Sequence, residues 1–294
     1  MSIIRSAAFT NTEDGIGLVV DGNCPGILIE RVDGIYAFQG EVQTSPYSQT
    51  NGDRYRHSRV IKRNIVVQGK IFDDFWRNRQ LMYRVFRTGS LGRFCYTEPD
   101  RSNRYADYYV EKVDIDQSYN VGEYQISLIC PDPFFYDGSP QVVDLATWIS
   151  DFVFQHDFVL GGEELGHRET SMIKEIENLN GVDGIGMKIT MSATGEVVNP
   201  FVYLYETGEE IRVGTTDNPY TLDSTKQIEI ETETGKKNII QVQNGIRTRI
   251  NEYLDVDSSF FQLAAGINTI GYNAASGAEH MNVHIEYRMR YLGV

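Results

Sequence analysis

Between residues 54 and 93 the chain carries Arg54, Arg56, Arg59, Lys62, Arg63, Lys70, Arg77, Arg79, Arg84, Arg87 and Arg93 against two carboxylates, Asp73 and Asp74. Tyr47, Tyr55, Trp76 and Tyr83 are interleaved with them. Guanidinium groups pair two ways with carboxylate or phosphate and stack on rings. These residue types therefore suit a solvated face, a nucleic-acid surface or contacts between subunits.

Other side chains with chemical potential fall into less convincing patterns. His280 and His284 are four residues apart in or beside a strand, where that spacing covers ~13 Å, too far for one zinc ion. His156 and His167 have no second ligand at a recognisable spacing. The pairs Glu163-Glu164 and Glu209-Glu210 supply carboxylates of the kind glycosidases use, yet neighbouring residues of a strand point to opposite faces. Gly184-Ile185-Gly186 lacks the third glycine and following helix of a dinucleotide site, and reads as a turn. No nucleophile elbow, zinc-protease helix or phosphate loop occurs. The expectation is a chain without catalytic, metal or cofactor site.

Composition narrows the class further. The 294 residues are enough for two domains with cores of their own. Eighteen Tyr, 14 Phe and 27 Gly favour strands and turns over helices. Cys24, Cys95 and Cys130 are odd in number with no short spacing, which suits buried free thiols formed in a reducing cytoplasm. The sequence shows neither a charged-then-apolar leader nor an apolar run of the ~18 residues that cross a bilayer, so no membrane insertion is expected. Residues 1–136 hold 16 Lys+Arg against 17 Asp+Glu, whereas residues 137–294 hold 11 against 24. The acidic second half repels phosphate and argues against a nucleic-acid surface there.

The elements that position these residues follow from periodicity. Leu28, Ile29 and Val32 make a first strand after a glycine-rich start at Gly15, Gly17, Gly22, Asn23, Pro25 and Gly26. The polar stretch Ala37–Arg59, with its Asn51-Gly52-Asp53 turn signal, reads as a protruding hairpin arm that orders against a neighbouring subunit. Ile61–Phe72 is a strand with Ile65, Val67 and Ile71 on one face and Val66, Lys70 and Phe72 on the other. A helix follows, capped by Asp73 or Asp74, with the apolar stripe Phe75, Trp76, Met82, Val85 and Phe86 and a stop at Gly89. Its other side shows Arg77, Arg79, Arg84 and Arg87. Strands over Arg93–Thr97 and Tyr105–Asp116, the latter with Tyr109, Val113 and Ile115 together, precede a strand in which Tyr124, Ile126, Leu128 and Cys130 alternate with Glu123, Gln125, Ser127 and Ile129.

Pro131 and Pro133 then stop the ladder, three aromatics follow, and the composition changes. A domain boundary at residue 136 is expected, with an α+β domain over 1–136 and a β-sandwich over 137–294. In the second part, Trp148–Leu160 forms a loose strand ended by Gly161-Gly162. Short runs over Met187–Met191, Phe201–Tyr205, Ile211–Val213, Ile228–Ile230 and Ile239–Val242 alternate with turns. The final strand puts Val283, Ile285, Tyr287, Met289 and Tyr291 inward and Asn282, His284, Glu286, Arg288 and Arg290 outward.

A strand ending in Cys130-Pro131-Asp132-Pro133-Phe134-Phe135-Tyr136, in a chain that closes on Val283-His284-Ile285-Glu286-Tyr287-Arg288-Met289-Arg290-Tyr291, resembles the distal tail protein family of long-tailed (siphovirus-type) bacteriophages. The resemblance spans the chain, with the first domain and both ends matching best. It implies a virion structural protein, made in the host bacterial cytoplasm and placed at the distal end of the tail. Six copies would form a ring joining the tail tube protein to tail-tip, tail-associated lysin or receptor-binding proteins. It also implies a tube-like fold for the first domain and a lectin-like or carbohydrate-binding-module-like sandwich for the second. Under that reading Tyr47, Arg54, Tyr55, Arg56, Arg59, Arg77 and Arg84 are candidates for the subunit interface, and sequence-specific nucleic-acid binding is not expected. The alternative is a carbohydrate-binding adhesin for host-wall sugar, with Trp148, Tyr220 and Tyr272 as stacking platforms.

Overall fold

The computed structural model describes residues 6–20, 26–97, 103–118, 121–150, 166–170, 173–179, 182 and 184–293, with backbone alone at 6, 118, 146–150 and 166–170. Gly22, Asn23, Cys24, Pro25, His156, Gly161-Gly162 and Glu163-Glu164, with the strand expected beyond Ser150, lie outside the described residues, as do the side chains of Trp148 and His167. The chain forms two compact units, Met1–Gly138 together with Arg290–Val294, and Ser139–Met289.

The first unit is one antiparallel sheet with a helix on it. Its strands are β1 (Ser6–Asn11), β2 (Gly17–Val20), β3 (Ile27–Asp33), β4 (Gly40–Pro46), β5 (Asp53–Val60) and β6 (Arg63–Ile71), then α1 (Phe75–Val85), β7 (Leu91–Thr97), β8 (Asn103–Ser118), β9 (Val121–Cys130) and β10 (Phe135–Asp137). The main sheet runs β2-β1-β7-β8-β9-β6-β3, with β10 paired to β8 and to Arg290–Tyr291. β4 and β5 form a separate two-stranded hairpin. In β9, Tyr124, Ile126, Leu128 and Cys130 are buried as the alternation predicts. In β6 the buried face is Arg63, Ile65, Val67 and Ile71.

Local chemistry moved three expectations. In β8 a bulge lies between Val110 and Lys112. One extra residue reverses the parity of a strand, so Ala106, Tyr108 and Val110 are inward before it, Val113 and Ile115 pack on the core after it, and Tyr109 is exposed. The helix has no side-chain cap: Asp74 stands at the N-cap with φ 38°, and the Asp73 carboxylate accepts from the adjacent Asp74 amide at 2.9 Å instead. Trp76 leaves the buried stripe, being 61% exposed, while Phe75, Met82, Val85 and Phe86 are buried. The helix seats Phe86 against Phe9, with ring centroids 5.3 Å apart. β1, not foreseen, contributes Ala7 and Phe9 to the core.

Arg63 occupies the inward face at the start of β6 and is 4% exposed. Its Nε donates to the Pro133 carbonyl at 2.7 Å; Nη1 donates to Gly34 at 2.6 Å, Ala37 at 2.7 Å and Ile35 at 3.4 Å; Nη2 donates to the Leu292 carbonyl. The guanidinium carbon stands 4.8 Å from the centroid of Phe135. Burial lowers its pKa, yet an arginine keeps its proton. Gly34 has φ +88°, and a side chain there would drive a carbon to 2.0 Å from the Asn64 carbonyl oxygen. Only glycine lets this turn close on the arginine.

The second unit is a β-sandwich. One sheet orders Gln141–Asp144, Met281–Tyr287, Met187–Ala193, Lys226–Glu231, Asn238–Gln243 and Ile246–Arg249. The other orders Ile173–Asn178, Gly266–Asn273, Phe201–Leu204 and Glu210–Arg212. Ile189, Ile228 and Ile285 from the first and Ile176, Val202 and Ile270 from the second share one apolar core. Val202 and Leu204 are the core residues of their strand, and Tyr205 is exposed. The last long strand stops at Tyr287, and Arg290–Tyr291 pairs with Phe135–Tyr136 in the first unit. Arg290, expected outward, is buried beside the rings of Phe134 and Tyr136, at 5.1 and 5.6 Å.

Replacing Arg63 by methionine orphans five carbonyls at once. We expect a loss of roughly 3–5 kcal/mol, read as a lower melting temperature of the tyrosine-rich first unit by near-UV circular dichroism. Burial pushes the Cys130 thiol up to about 12. At pH 8 its thiolate fraction is then about one in ten thousand, so peptide mapping after iodoacetamide treatment of the native chain should find Cys130 unmodified, and modified once the chain is unfolded.

Candidate assembly surface

The sequence singled out an arm and a helix face, and the fold holds both away from the cores. The arm is rooted on Arg63, which fixes the carbonyls of Gly34, Ile35 and Ala37 just before β4 begins. Beyond that root most of the hairpin is exposed, including Tyr47, Arg54, Tyr55, Arg56 and Arg59, while Glu41, Ser45 and Val60 are half-buried. Gly52, with φ 102°, turns the chain, and its carbonyl accepts from the Tyr47 amide at 3.4 Å. Within the arm Arg59 pairs with Glu41 at 2.7 Å, and Arg56 Nε donates to Ser45 Oγ at 2.9 Å. The Arg59 guanidinium holds the Glu41 carboxyl below its ordinary pKa.

On α1, Trp76, Arg79 and Tyr83 lie at helical spacing. The Arg79 guanidinium is 4.4 Å from the Trp76 ring centroid and 5.9 Å from that of Tyr83. Phe72 and Leu28 are also exposed apolar residues. Arg77 and Arg84 are exposed beside them. Arg87 instead pairs with Glu13 at 2.7 Å, and Arg93 forms a two-pronged pair with Asp107 at 2.7 and 3.0 Å. The basic segment is thus divided: Arg63 is structural, Arg87 and Arg93 are paired in place, and Arg54, Arg56, Arg77 and Arg84 present their charge outward. Membership of Arg63 in the buried face was readable from its spacing to Ile65, Val67 and Ile71, although its residue type argued against it.

Two of the three sugar-platform candidates are buried by the fold, while the side chain of Trp148 lies outside the described residues. Tyr272 is 0% exposed and Tyr220 5%, both in the sandwich core. Tyr220 donates to Gln241 Oε1 at 2.7 Å and packs edge-on to Tyr253, and burial raises its pKa. A ring enclosed on both faces cannot stack on a sugar. His284 Nδ1 lies 2.6 Å from Asp144 Oδ1, and His280 Nε2 lies 3.7 Å from Glu279. Glu209 accepts from Ser259 and Thr207, whereas Glu210 pairs with Arg212, so these carboxylates serve separate partners. Among the described residues no helix is long and apolar enough to cross a membrane.

The family model described as "Siphovirus-type tail component, C-terminal domain" matches residues 180–291. No curated protein matches the chain in sequence. Among solved structures, the SPP1 Dit (gp 19.1) protein, described as a paradigm of the hub adsorption apparatus in phages infecting Gram-positive hosts, superposes with a TM-score of 0.68 at 12% identity, covering 97% of this chain and 99% of that one. A chain of the phage P2 baseplate in its activated conformation with Ca gives 0.55 at 11% identity, covering 99% and 100%. A chain of the same baseplate with Sr gives 0.52 at 8% identity, covering 98% and 99%. Residues 180–291 thus match the siphovirus-type tail component C-terminal domain, and over 97% of its length the chain has the fold seen in the SPP1 Dit protein.

Proposed function

We propose that this chain is a distal tail hub component, a structural and not a catalytic protein of the virion. It is made in the host cytoplasm and forms a ring, with six copies as the family pattern, at the distal end of a phage tail. The observation that carries this reading is the likeness to the Dit hub over 97% of this chain and 99% of that one, which leaves little of either outside the shared fold. One face of the ring meets the tail tube protein and the other the tail-tip or receptor-binding proteins. The first unit makes the ring and the second decorates it.

A closed ring needs two different patches on each copy, repeated around the axis. The arm, with Tyr47, Arg54, Tyr55, Arg56 and Arg59, supplies one. The helix face, with Trp76, Arg77, Arg79 and Arg84, supplies a surface rich in the aromatic and arginine residues that interfaces favour. The adhesin reading has lost Tyr220 and Tyr272 to the sandwich core.

Light scattering behind size exclusion should give a multiple of the 33.4 kDa chain mass, six being the expected value. Monomer at every concentration would count against the ring. A chain in which residues 139–289 are replaced by a short Gly/Ser loop joins Gly138 to Arg290, whose neighbouring strands already pair, and should keep the same copy number. A chain ended at Tyr136 loses the Leu292 acceptor of Arg63 and should not. Trp76→Ser should weaken assembly roughly 30-fold, the scale of a buried aromatic anchor, without lowering the melting temperature; an unchanged copy number across dilution would remove the helix face from the interface.

A further inference from the structure

A two-stranded hairpin is at best marginally stable in water, yet β4 and β5 pair with no other strand among the described residues. The register shows what the arm presents. Gln43 faces His57 and Thr44 faces Tyr55, so Arg56 is an extra, bulged residue. Glu41, Gln43 and Ser45 share one face by the two-residue period. Arg59 lies across from Glu41, Arg54 lies across from Ser45, and Arg56 reaches Ser45 from the bulge. The bulge therefore collects Arg54, Arg56 and Arg59 on one face. Val42, Thr44, Tyr55 and Ser58 take the other, where the Tyr55 and Ser58 hydroxyls meet at 2.9 Å.

Residues 1–136 are near neutral as a whole, with 16 Lys+Arg against 17 Asp+Glu, so a complement to this cationic face has to be a local acidic patch. The first unit contains a groove of about 350 Å³ lined by Glu30, Asp114, Asp116 and Glu123 across β3, β8 and β9, beside Gln68 and Gly69 of β6. Lys70 pairs with Glu30 at 3.0 Å and Lys112 with Asp114 at 2.7 Å. Asp116 and Glu123 lie in no ion pair within 4 Å among the described residues, although the Glu123 charge also acts on Lys70. The arm leaves the sheet where β6 begins, at Arg63, whereas the groove lies five to six residues along that strand, ~15–20 Å away. Projection at one end and groove toward the other are the two halves of a head-to-tail contact.

We propose that the basic face of the arm of one copy seats in the acidic groove of a second copy. This rests on the ring reading above and names the groove as the patch that receives the arm's arginines. The Arg54→Glu/Arg56→Glu chain and the Asp116→Lys/Glu123→Lys chain should each self-associate at least ~10-fold more weakly than the natural chain, the scale of charge-pair disruption at an interface. All four positions are exposed, and circular dichroism of each variant checks its fold. Mixed one to one, the two variants should regain the natural copy number, because alternating copies restore every arm-to-groove pairing in an even-numbered ring.

If the natural chain assembles and either variant assembles equally well, or if folded variants stay apart when mixed, the arm-to-groove contact is wrong while the ring stands. If the natural chain is a monomer throughout, both readings fall. If the arm variant keeps its copy number but loses salt-dependent binding of duplex DNA, measured by fluorescence anisotropy, the arm is a phosphate-binding surface and the proposal is overturned.

Discussion

The buried guanidinium of Arg63 is the constraint around which the first unit is arranged. A cation out of water costs several kcal/mol unless its donors are met, and here they are met by carbonyls from three separated stretches: residues 34–37, Pro133 and Leu292. Each carbonyl is a dipole that would itself be costly to bury alone. The arginine therefore binds together the root of the arm, the turn after β9 and the end of the chain. The ring of Phe135 beside it completes the enclosure.

That arrangement explains the path of the chain. After β10 the polypeptide builds the whole sandwich of Ser139–Met289 and then returns, so that Arg290–Tyr291 pairs with Phe135–Tyr136. The return is held by aromatic and cationic groups in alternation: Arg104 lies 3.6 Å from the Tyr291 ring centroid, and Arg290 lies between Phe134 and Tyr136. The Pro-Asp-Pro-aromatic run is thus more than a stop signal for β9. It forms the seat for the last residues, and the second unit is an insertion between two neighbouring strands.

Surface function follows from what this core leaves uncovered. Rigid anchoring at Arg63 sets the arm out from the sheet, and one bulged residue decides which side chains share a face. On the helix, Phe75, Met82 and Val85 satisfy the sheet, so Trp76 and Tyr83 are free to face outward with Arg79 across their rings. Burial separates the aromatic residues in the same way. Tyr220 and Tyr272 are spent on the sandwich core, while Tyr47 and Tyr55 are exposed.

Composition indicated the mostly-β class and the Asn51-Gly52-Asp53 turn residues the hairpin, while periodicity determined the helix α1 and the inward faces of β6, β9 and Met281–Tyr287, because a side chain's face along a regular element depends only on its spacing. It also marked the arm and helix as places where arginine and aromatic residues gather. Tertiary structure decided what spacing cannot carry. A bulge in β8 against β9 turned Tyr109 outward, and the Arg63 guanidinium found its acceptors in three distant stretches, residues 34–37, Pro133 and Leu292. The last strand ends at Tyr287, and the chain beyond it pairs 154 residues earlier, Arg290 with Tyr136. Those outcomes depend on contacts between residues far apart in sequence, and no local pattern records them.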